Sequence, residues 1–313
     1  MVIDGAVAVS DGKERRWCED VFRGQGVSRD RDRVSNWNWA KPDPSAMQQP
    51  PVDLRTDQPH PARVYDYLLG GKDNFPADRE AADRSLARFP HANTPPRQNR
   101  EFLRRAVKYL ATEAGIRQFL DIGTGLPTSP NVHQVAQAAN PETRVVYVDN
   151  DPIVLVHARA LLTSSPEGRT GYIDADVRDP EKVFDQAQEV LDLSQPVGLL
   201  LLSVIHFVRD EEDPYGLVRR YLDRLAPGSH LALSHLTGEF DRPTWQYISS
   251  QYDGTSHTMV VRDQTTAEGF FNGLELVDPG VVLVHRWRPE PDENPDAFED
   301  RQVSCWCGVA RKP

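Results

Sequence analysis

An α/β fold is predicted, a doubly wound and mostly parallel sheet of seven strands with an N-terminal helical layer. Three features predict it. Short apolar runs alternate with stretches of helical periodicity from residue 116 onward. One run, Val197 to Leu202, is apolar throughout, the pattern of a strand covered on both faces. Another, Gln118 to Ile122, runs directly into Gly123-Thr124-Gly125, a turn of the kind that joins a parallel strand to its helix.

The elements follow in order. Residues 1–50 mix Arg, Asp, Gly and Ser without periodicity and carry Trp17, Trp37 and Trp39 in isolation. They end in the proline-rich stretch Pro42 to Pro51, and read as a leader without fixed structure or, alternatively, as a tail that packs loosely on the body through its tryptophans. A helical cap is expected over 51–115. Its parts are the turn sequence Arg63 to Leu69, closed by Gly70-Gly71, a polar helix over Ala77 to Phe89, and a break at Pro95-Pro96. A helix over Arg97 to Ala114 then sets Phe102, Leu103, Ala106, Val107 and Leu110 on one face and stops at Gly115.

The α/β domain is expected over 116–313. Its strands fall at Gln118–Ile122, Arg144–Val148, Thr170–Ala175, Val197–Leu202 and His230–Ser234. Helices are expected between them at Asn131–Ala139, Ile153–Thr163, Pro180–Leu191 and Tyr215–Leu225, with another at Thr265–Phe271. Leu274–Val284 and Gln302–Ala310 read as a closing antiparallel hairpin, separated by an acidic, proline-containing loop, Pro289 to Asp300.

Bulk properties narrow the function classes. The chain has 313 residues, a net charge of −11 and a pI of about 5.3, so non-specific binding to nucleic acid or anionic membrane is not expected. No long apolar run follows Met1, and the stretch Val197 to Ile205 is too short to span a bilayer, which makes a cytoplasmic location the expectation. Cys18, Cys305 and Cys307 read as reduced thiols, the last two on the same side of a terminal strand. No histidine cluster completes a metal site. The sequence carries no signal of oligomeric state.

The Gly-x-Gly turn and what surrounds it suggest a cofactor. A Cβ at Gly123 or Gly125 is expected to obstruct both the turn and the approach of a ligand to the backbone. A second strand ends in Asp149, 24 residues beyond Gly125, where a carboxylate accepts from ribose hydroxyls. Asp176 and Val177 follow the third strand, at the place that meets an adenine edge. Asn150 beside Asp149 and Ser203 after the fourth strand complete the candidate cofactor set. Asp149 and Asp176 could instead cap the helices that follow them, but three such features at consecutive strand ends favour a nucleoside.

A dinucleotide competes for this geometry. Its fingerprint requires a third glycine where this chain has Thr128, within Leu126-Pro127-Thr128-Ser129-Pro130. Two prolines there widen the loop and delay the helix, and Asp121, two residues before Gly123, suits a cationic ligand better than a pyrophosphate. S-adenosylmethionine carries a sulfonium and an ammonium group, and the sequence prefers it, with S-adenosylhomocysteine as the product.

At this point the chain resembles the actinobacterial S-adenosylmethionine-dependent methyltransferase-like proteins, formerly a domain of unknown function. The likeness covers roughly Asp53 to Arg311 and is carried by Pro61 to Phe75, by Arg117 to Gly125 with Pro127-Thr128, and by Val145 to Pro152. It implies a class I methyltransferase core with a helical layer over the cofactor cleft. It also implies that Asp121, Gly123 and Gly125 meet the methionine part, Asp149 the ribose, and Asp176 with Val177 the adenine.

Methyl transfer from a sulfonium is an in-line displacement, so the protein chiefly aligns the acceptor and excludes water. His206 after the fourth strand and His235 after the fifth are the candidate catalytic groups, as base or as orienting partner. The Asn/Asp-Pro-Pro-aromatic pattern of many amino methyltransferases is absent after strand four, which argues against adenine or glutamine nitrogens as acceptors. Tyr65, Tyr67, Asn74 and Arg79, in a segment that also holds Lys72 and Asp73, are candidates for a lid or substrate wall. The stretch Trp245 to Met259, with Tyr247, Tyr252 and His257, is a second candidate wall. The expectation is an S-adenosylmethionine-dependent methyltransferase with a small-molecule acceptor. A non-catalytic cofactor-binding sensor and a nicotinamide-dependent oxidoreductase are the alternatives.

Overall fold

The computed structural model describes residues 54–161, 164–253, 255 and 257–313. The leader expected over 1–50, with Cys18 and three tryptophans, lies outside the described residues.

Five parallel strands form the centre: β1 Gln118–Ile122, β2 Arg144–Asp149, β3 Arg169–Asp174, β4 Gly198–Leu202 and β5 His230–Leu236. Their order is β3-β2-β1-β4-β5, so the chain reverses direction across the sheet between β1 and β4. Asp121 pairs with Tyr147 on one side and Leu200 on the other, which places the β1 carboxyl end in the middle of that crevice. Every residue of β1 and β4 is buried, as an apolar run covered on both faces requires.

The far edge differs from the expected hairpin. The stretch read as one strand over 274–284 forms two short strands, β6 Glu275–Leu276 and β7 Val282–Leu283. Asp278-Pro279-Gly280 divides them: proline has no N–H for the ladder, and Gly280 takes φ 85°. Both pair antiparallel with β8, Cys305–Arg311, which itself pairs antiparallel with β5. The first residues expected in that last strand form instead a helical turn, Asp300–Val303. Cys305 and Cys307 are free and buried in the same apolar cluster.

Helices α1 Pro61–Leu69, α2 Pro76–Arg88 and α3 Thr94–Thr112 form the N-terminal layer. The prolines at 95 and 96 do not break the chain before α3; they occupy its first turn, where a missing N–H costs nothing. Phe102, Leu103, Ala106, Val107 and Leu110 pack with Phe119, Val145, Tyr147 and Leu200 of the sheet. A buried cluster bolts α1 and α2 to the loop after β2. There the Arg63 guanidinium lies 3.5 Å from both Asp78 and Asp151 and donates to the Leu54, Arg55 and Gln58 carbonyls.

The remaining helices are α4 Val132–Ala139, α5 Pro152–Leu161, α6 Pro180–Ala187, α7 Pro214–Asp223, α8 Arg242–Ser250 and α9 Gln264–Glu268. The start of α8 owes to Asp241, whose side chain accepts from the Thr244 N–H. The helical reading at Thr265–Phe271 is divided, α9 passing into a 3-10 turn, Gly269–Phe271. Among the described residues, no helix is long and apolar enough to cross a membrane.

Candidate active site at the carboxyl ends of the strands

One cavity opens over the carboxyl ends of β1, β2, β3 and β4 and reaches under α1 and α8. Asp121, Gly123, Gly125, Asp149, Asn150, Asp176, Val177 and Ser203 all line it, as do Tyr65, Tyr252 and His206. Tyr67, Asn74, Arg79, Tyr247 and His235 do not.

The glycine turn divides its two glycines between two physical duties. Gly123 has φ 72°, and a Cβ there would lie 2.5 Å from Val204 Cγ2, so its constraint is packing against the loop after β4. Gly125 has φ 67°, and a Cβ there would meet nothing within 4 Å. Its side is open cavity, and it is this glycine that keeps the cradle clear. Both glycines line the cavity; a Cβ at Gly123 would clash with the loop after β4, and one at Gly125 would project into open space. Beyond the turn, α4 begins late: the Asn131 N–H donates to Gln134 and the Asn131 side chain accepts from the Thr128 N–H.

Asp149 ties the turn to the next loop. One carboxylate oxygen accepts from the Gly125 N–H at 2.8 Å and the other from the Asp151 N–H at 2.9 Å. Burial pushes its pKa up to about 6. Burial also pushes Asp121 up to about 7, against the Thr124 hydroxyl and the Arg100 guanidinium, which favour its ionised form. Neither carboxylate has a salt-bridge partner among the described residues. Two buried carboxylates that make no salt bridge among the described residues, beside a turn kept open by glycine, fit a cationic nucleoside ligand.

Asp176 sits at the rim, where it does not cap the helix that follows; Asp179 does that, accepting from the Lys182 N–H. Asp176 accepts from the Asn150 amide at 2.9 Å and from the Arg178 backbone and guanidinium. Ser203 takes φ 56°, a left-handed turn for a residue with a side chain, at the point where β4 leaves the sheet.

A hydrogen-bonded chain joins the helical layer to this point. The Tyr65 hydroxyl donates to the Pro96 carbonyl and accepts from the Asn99 amide, while Asn99 Oδ1 accepts from Ser234 Oγ at 2.6 Å. Ser234 Oγ in turn accepts from the Ser203 N–H. Burial pushes the Tyr65 hydroxyl up to about 12, so it stays protonated.

The candidates outside the cavity have other partners. Tyr67 donates to the exposed Asp83. Asn74 donates to Asp66 and the Gly71 carbonyl and accepts from Arg79, a knot that fixes the loop after α1. Tyr247 lies on the exposed face of α8. The His235 ring is held on both sides, Nδ1 against the Leu236 carbonyl and Nε2 against the Arg262 guanidinium, each within 2.8 Å. Burial pushes it down to about 3.

The lining is completed by Asn99 and Arg100, which the sequence reading did not single out, and by the expected wall within Trp245 to Met259. Asn99 and Arg100 come from the first turns of α3, and Arg100 donates to the Thr128 and Pro130 carbonyls, fixing the proline loop. Trp245, Ile248, Tyr252 and Met259 belong to one apolar cluster with Phe89 and Ala92, against which Phe207 packs. The signal for Asn99 and Arg100 was the Pro95-Pro96 helix start. Among the described residues, no group of three or more His, Cys, Asp or Glu side chains could hold a metal ion.

Asp121 supplies a pH prediction. Its folded pKa is raised above the unfolded value near 3.8, so the folded state holds an extra proton between about pH 4 and 7. The stability that this group contributes therefore falls as pH rises through that window. Asp121→Asn, which carries no charge, is expected to melt higher than wild type at pH 8, by about 3 °C or more, and to match it at pH 5. Paired thermal melts check this, and an advantage that does not grow with pH would mean that Asp121 ionises at no cost.

A parallel sheet ordered β3-β2-β1-β4-β5, with an antiparallel strand inserted beside β5 and carboxylates at the β1 and β2 ends flanking a glycine turn, defines the class I S-adenosylmethionine-binding methyltransferases. The chain belongs to the S-adenosyl methyltransferase family, whose model matches residues 47–313. It is similar to a DUF574 family protein from Streptomyces avermitilis, with 48% identity over 83% of this chain and 100% of that one, and a TM-score of 0.81. It is also similar to a methyltransferase candidate from Thermobifida fusca, with 40% identity over 85% of this chain and 99% of the other, and a TM-score of 0.76. No curated protein matches the chain. Family membership decides between the cofactors weighed above: S-adenosylmethionine, not a nicotinamide dinucleotide.

Proposed function

We propose that this chain moves the methyl group of S-adenosylmethionine to an oxygen or nitrogen of a small-molecule acceptor held in the same cavity. The observation that carries the reading is the continuity of that cavity, from the carboxylates at the β1 and β2 ends to the aromatic wall formed by Phe207, Trp245 and Tyr252. Helices α1 and α3 supply another side, through Tyr65, Leu68, Pro95, Pro96 and Asn99. A chamber walled by its own helical layer suits a small acceptor better than a macromolecular surface.

Bound S-adenosylmethionine supplies an already activated methyl carbon. The residues assigned to hold it are Asp121 and Gly125 for the amino-acid part, Asp149 with Asn150 for the ribose, and Asp176 with Val177 for the adenine. Gly123 and Ser203 shape the backbone around it. Asp121, ionised above about pH 7, offers the negative charge that an ammonium or sulfonium seeks. The acceptor lies against His206, which burial and the neighbouring His235 and Arg262 keep neutral by pushing its pKa well below the usual value. A neutral imidazole orients an acceptor group by hydrogen bonding and hands on a released proton readily, but draws that proton only weakly. Most of the rate enhancement is then alignment and exclusion of water.

The test is acceptor-dependent release of S-adenosylhomocysteine across a panel of small phenols, amines and carboxylic acids. Turnover with at least one class is expected. Binding of S-adenosylhomocysteine with no turnover on any class would favour the sensor reading.

A further inference from the structure

The charged side chains that line the cavity are Asp66, Arg100, Asp121, Asp149, Asp176 and Arg178. Some of them are answered by the fold. The Asp66 carboxylate accepts from the Asp73 N–H and the Asn74 amide, which commits it to the loop after α1. Asp176 and Arg178 pair with each other at 3.1 Å, and Arg178 also donates to Glu212 and to the Phe207 carbonyl. Asp121, Asp149 and Arg100 are left, and none of them makes a salt bridge among the described residues.

Arg100 leaves the first turns of α3 and reaches the loop that follows the glycine turn. Its Nη2 donates to the Thr128 and Pro130 carbonyls, which takes both hydrogens of that nitrogen. Nε and Nη1 have no hydrogen-bond partner among the described residues. Neither is sealed in the core: the residue is half-buried, and both atoms stay accessible. The guanidinium is therefore pinned at one corner and open at the others. A head group already held in place loses little freedom when it takes an anion. Its position is set by its neighbours. Thr128, Asp121 and Tyr65 all line the cavity, and the positive charge of Arg100 favours the ionised forms of both Asp121 and Tyr65. The open cation thus stands at the β1 end of the cavity, beside the glycine turn.

We propose that Arg100 binds the carboxylate of the cofactor's amino-acid part, while Asp121 takes the ammonium of the same group. The assignment rests on the methyl-transfer reading above and adds a specificity residue to its cofactor site. An α-amino acid carries its two opposite charges on one carbon. Arg100 and Asp121 offer the matching pair of charges and form no salt bridge with each other, so a ligand of both signs can join them. A purely cationic ligand would leave Arg100 without a counter-charge, and a purely anionic one would leave Asp121 without its cation. The adenine end cannot play this part, because Asp176 and Arg178 already satisfy each other there. Arg100 accordingly selects a sulfonium donor that retains its α-carboxylate over the decarboxylated form.

The experiment is a calorimetric titration at pH 8 of S-adenosylhomocysteine and of decarboxylated S-adenosylhomocysteine, which keeps the adenosine, the thioether and the ammonium. Wild-type protein is expected to bind the intact ligand at least tenfold tighter, the ordinary worth of a hydrogen bond to a charged group. Arg100→Met should weaken the intact ligand at least tenfold and leave the decarboxylated one within twofold, so that the two affinities converge. Equal affinity of wild type for the two ligands overturns the inference, and that comparison needs no variant. An unchanged affinity for S-adenosylhomocysteine in Arg100→Met also overturns it. So does an equal loss for both ligands, which would show that Arg100 acts only by holding the proline loop. Failure of wild type to bind either ligand would sink the methyl-transfer reading, and this assignment with it.

Discussion

Asp149→Ala is expected to weaken S-adenosylhomocysteine binding by at least tenfold, about 1.4 kcal/mol. Two losses combine in that variant. The carboxylate that faces the cavity disappears, and with it the acceptor proposed for the ribose hydroxyls. The same carboxylate also accepts from the Gly125 and Asp151 backbone N–H groups, so its removal releases the glycine turn from the loop after β2. Gly125 sits at φ 67°, a conformation that the turn must hold for the cradle to stay open. Calorimetry on a folded variant reads the outcome, and an unchanged affinity would remove Asp149 from the site. The ordinary effect of an exposed carboxylate would be far smaller.

Arg262→Leu is expected to cost about 3 kcal/mol or more of stability, because it leaves the buried Ile205 and Val208 carbonyls and His235 Nε2 without their donor, and each unsatisfied buried acceptor costs about 1–3 kcal/mol. The melting temperature should fall by about 10 °C. Arg262 is 5% exposed and donates to the Ile205 and Val208 carbonyls, to Asp210 and to His235. Those partners enclose the segment that presents His206 and Phe207, so acceptor turnover should suffer with stability. Because none of them lies in the β1 or β2 loops, affinity for S-adenosylhomocysteine at a temperature where the variant is folded should change little. A melting temperature within 2 °C of wild type would show that the segment holds itself.

His235 illustrates how position in sequence misleads about duty. It stands in the strand just beyond the site, where a catalytic group would be sought, yet its ring serves as the acceptor for Arg262. Nothing local announces this, because the two residues are 27 positions apart and meet only when the loop after β5 folds back. The polar run after α1 misleads in the same way. Asn74 and Arg79 look like a binding surface because they are dense and varied, but their polar atoms are spent on Asp66, Gly71 and each other.

What was legible followed from strong local rules. The burial of β4 on both faces is written in four consecutive leucines, and the place of Asp121, Asp149 and Asp176 follows from strand ends in a parallel sheet. The two prolines that read as a break begin a helix, since the rule for proline inside a helix reverses at its first turn. Trp245 was visible only as part of a stretch. That it points inward while Tyr247 points out depends on the phase of α8, which Asp241 sets through its cap. The broken edge strand depends on Pro279 and Gly280, whose effect on a ladder is local but whose partner, β8, lies at the other end of the sequence.

The cofactor assignment is tested by the structure of the protein crystallised with S-adenosylhomocysteine. The nucleoside is expected in the cavity over the strand ends, its ribose on Asp149, its adenine beside Asp176 and Val177, and its amino-acid part toward Asp121, with the side of the cavity lined by His206 and Trp245 left free for an acceptor. S-adenosylhomocysteine bound elsewhere, or seated in the cavity while leaving Asp149 uncontacted, would contradict the cofactor assignment.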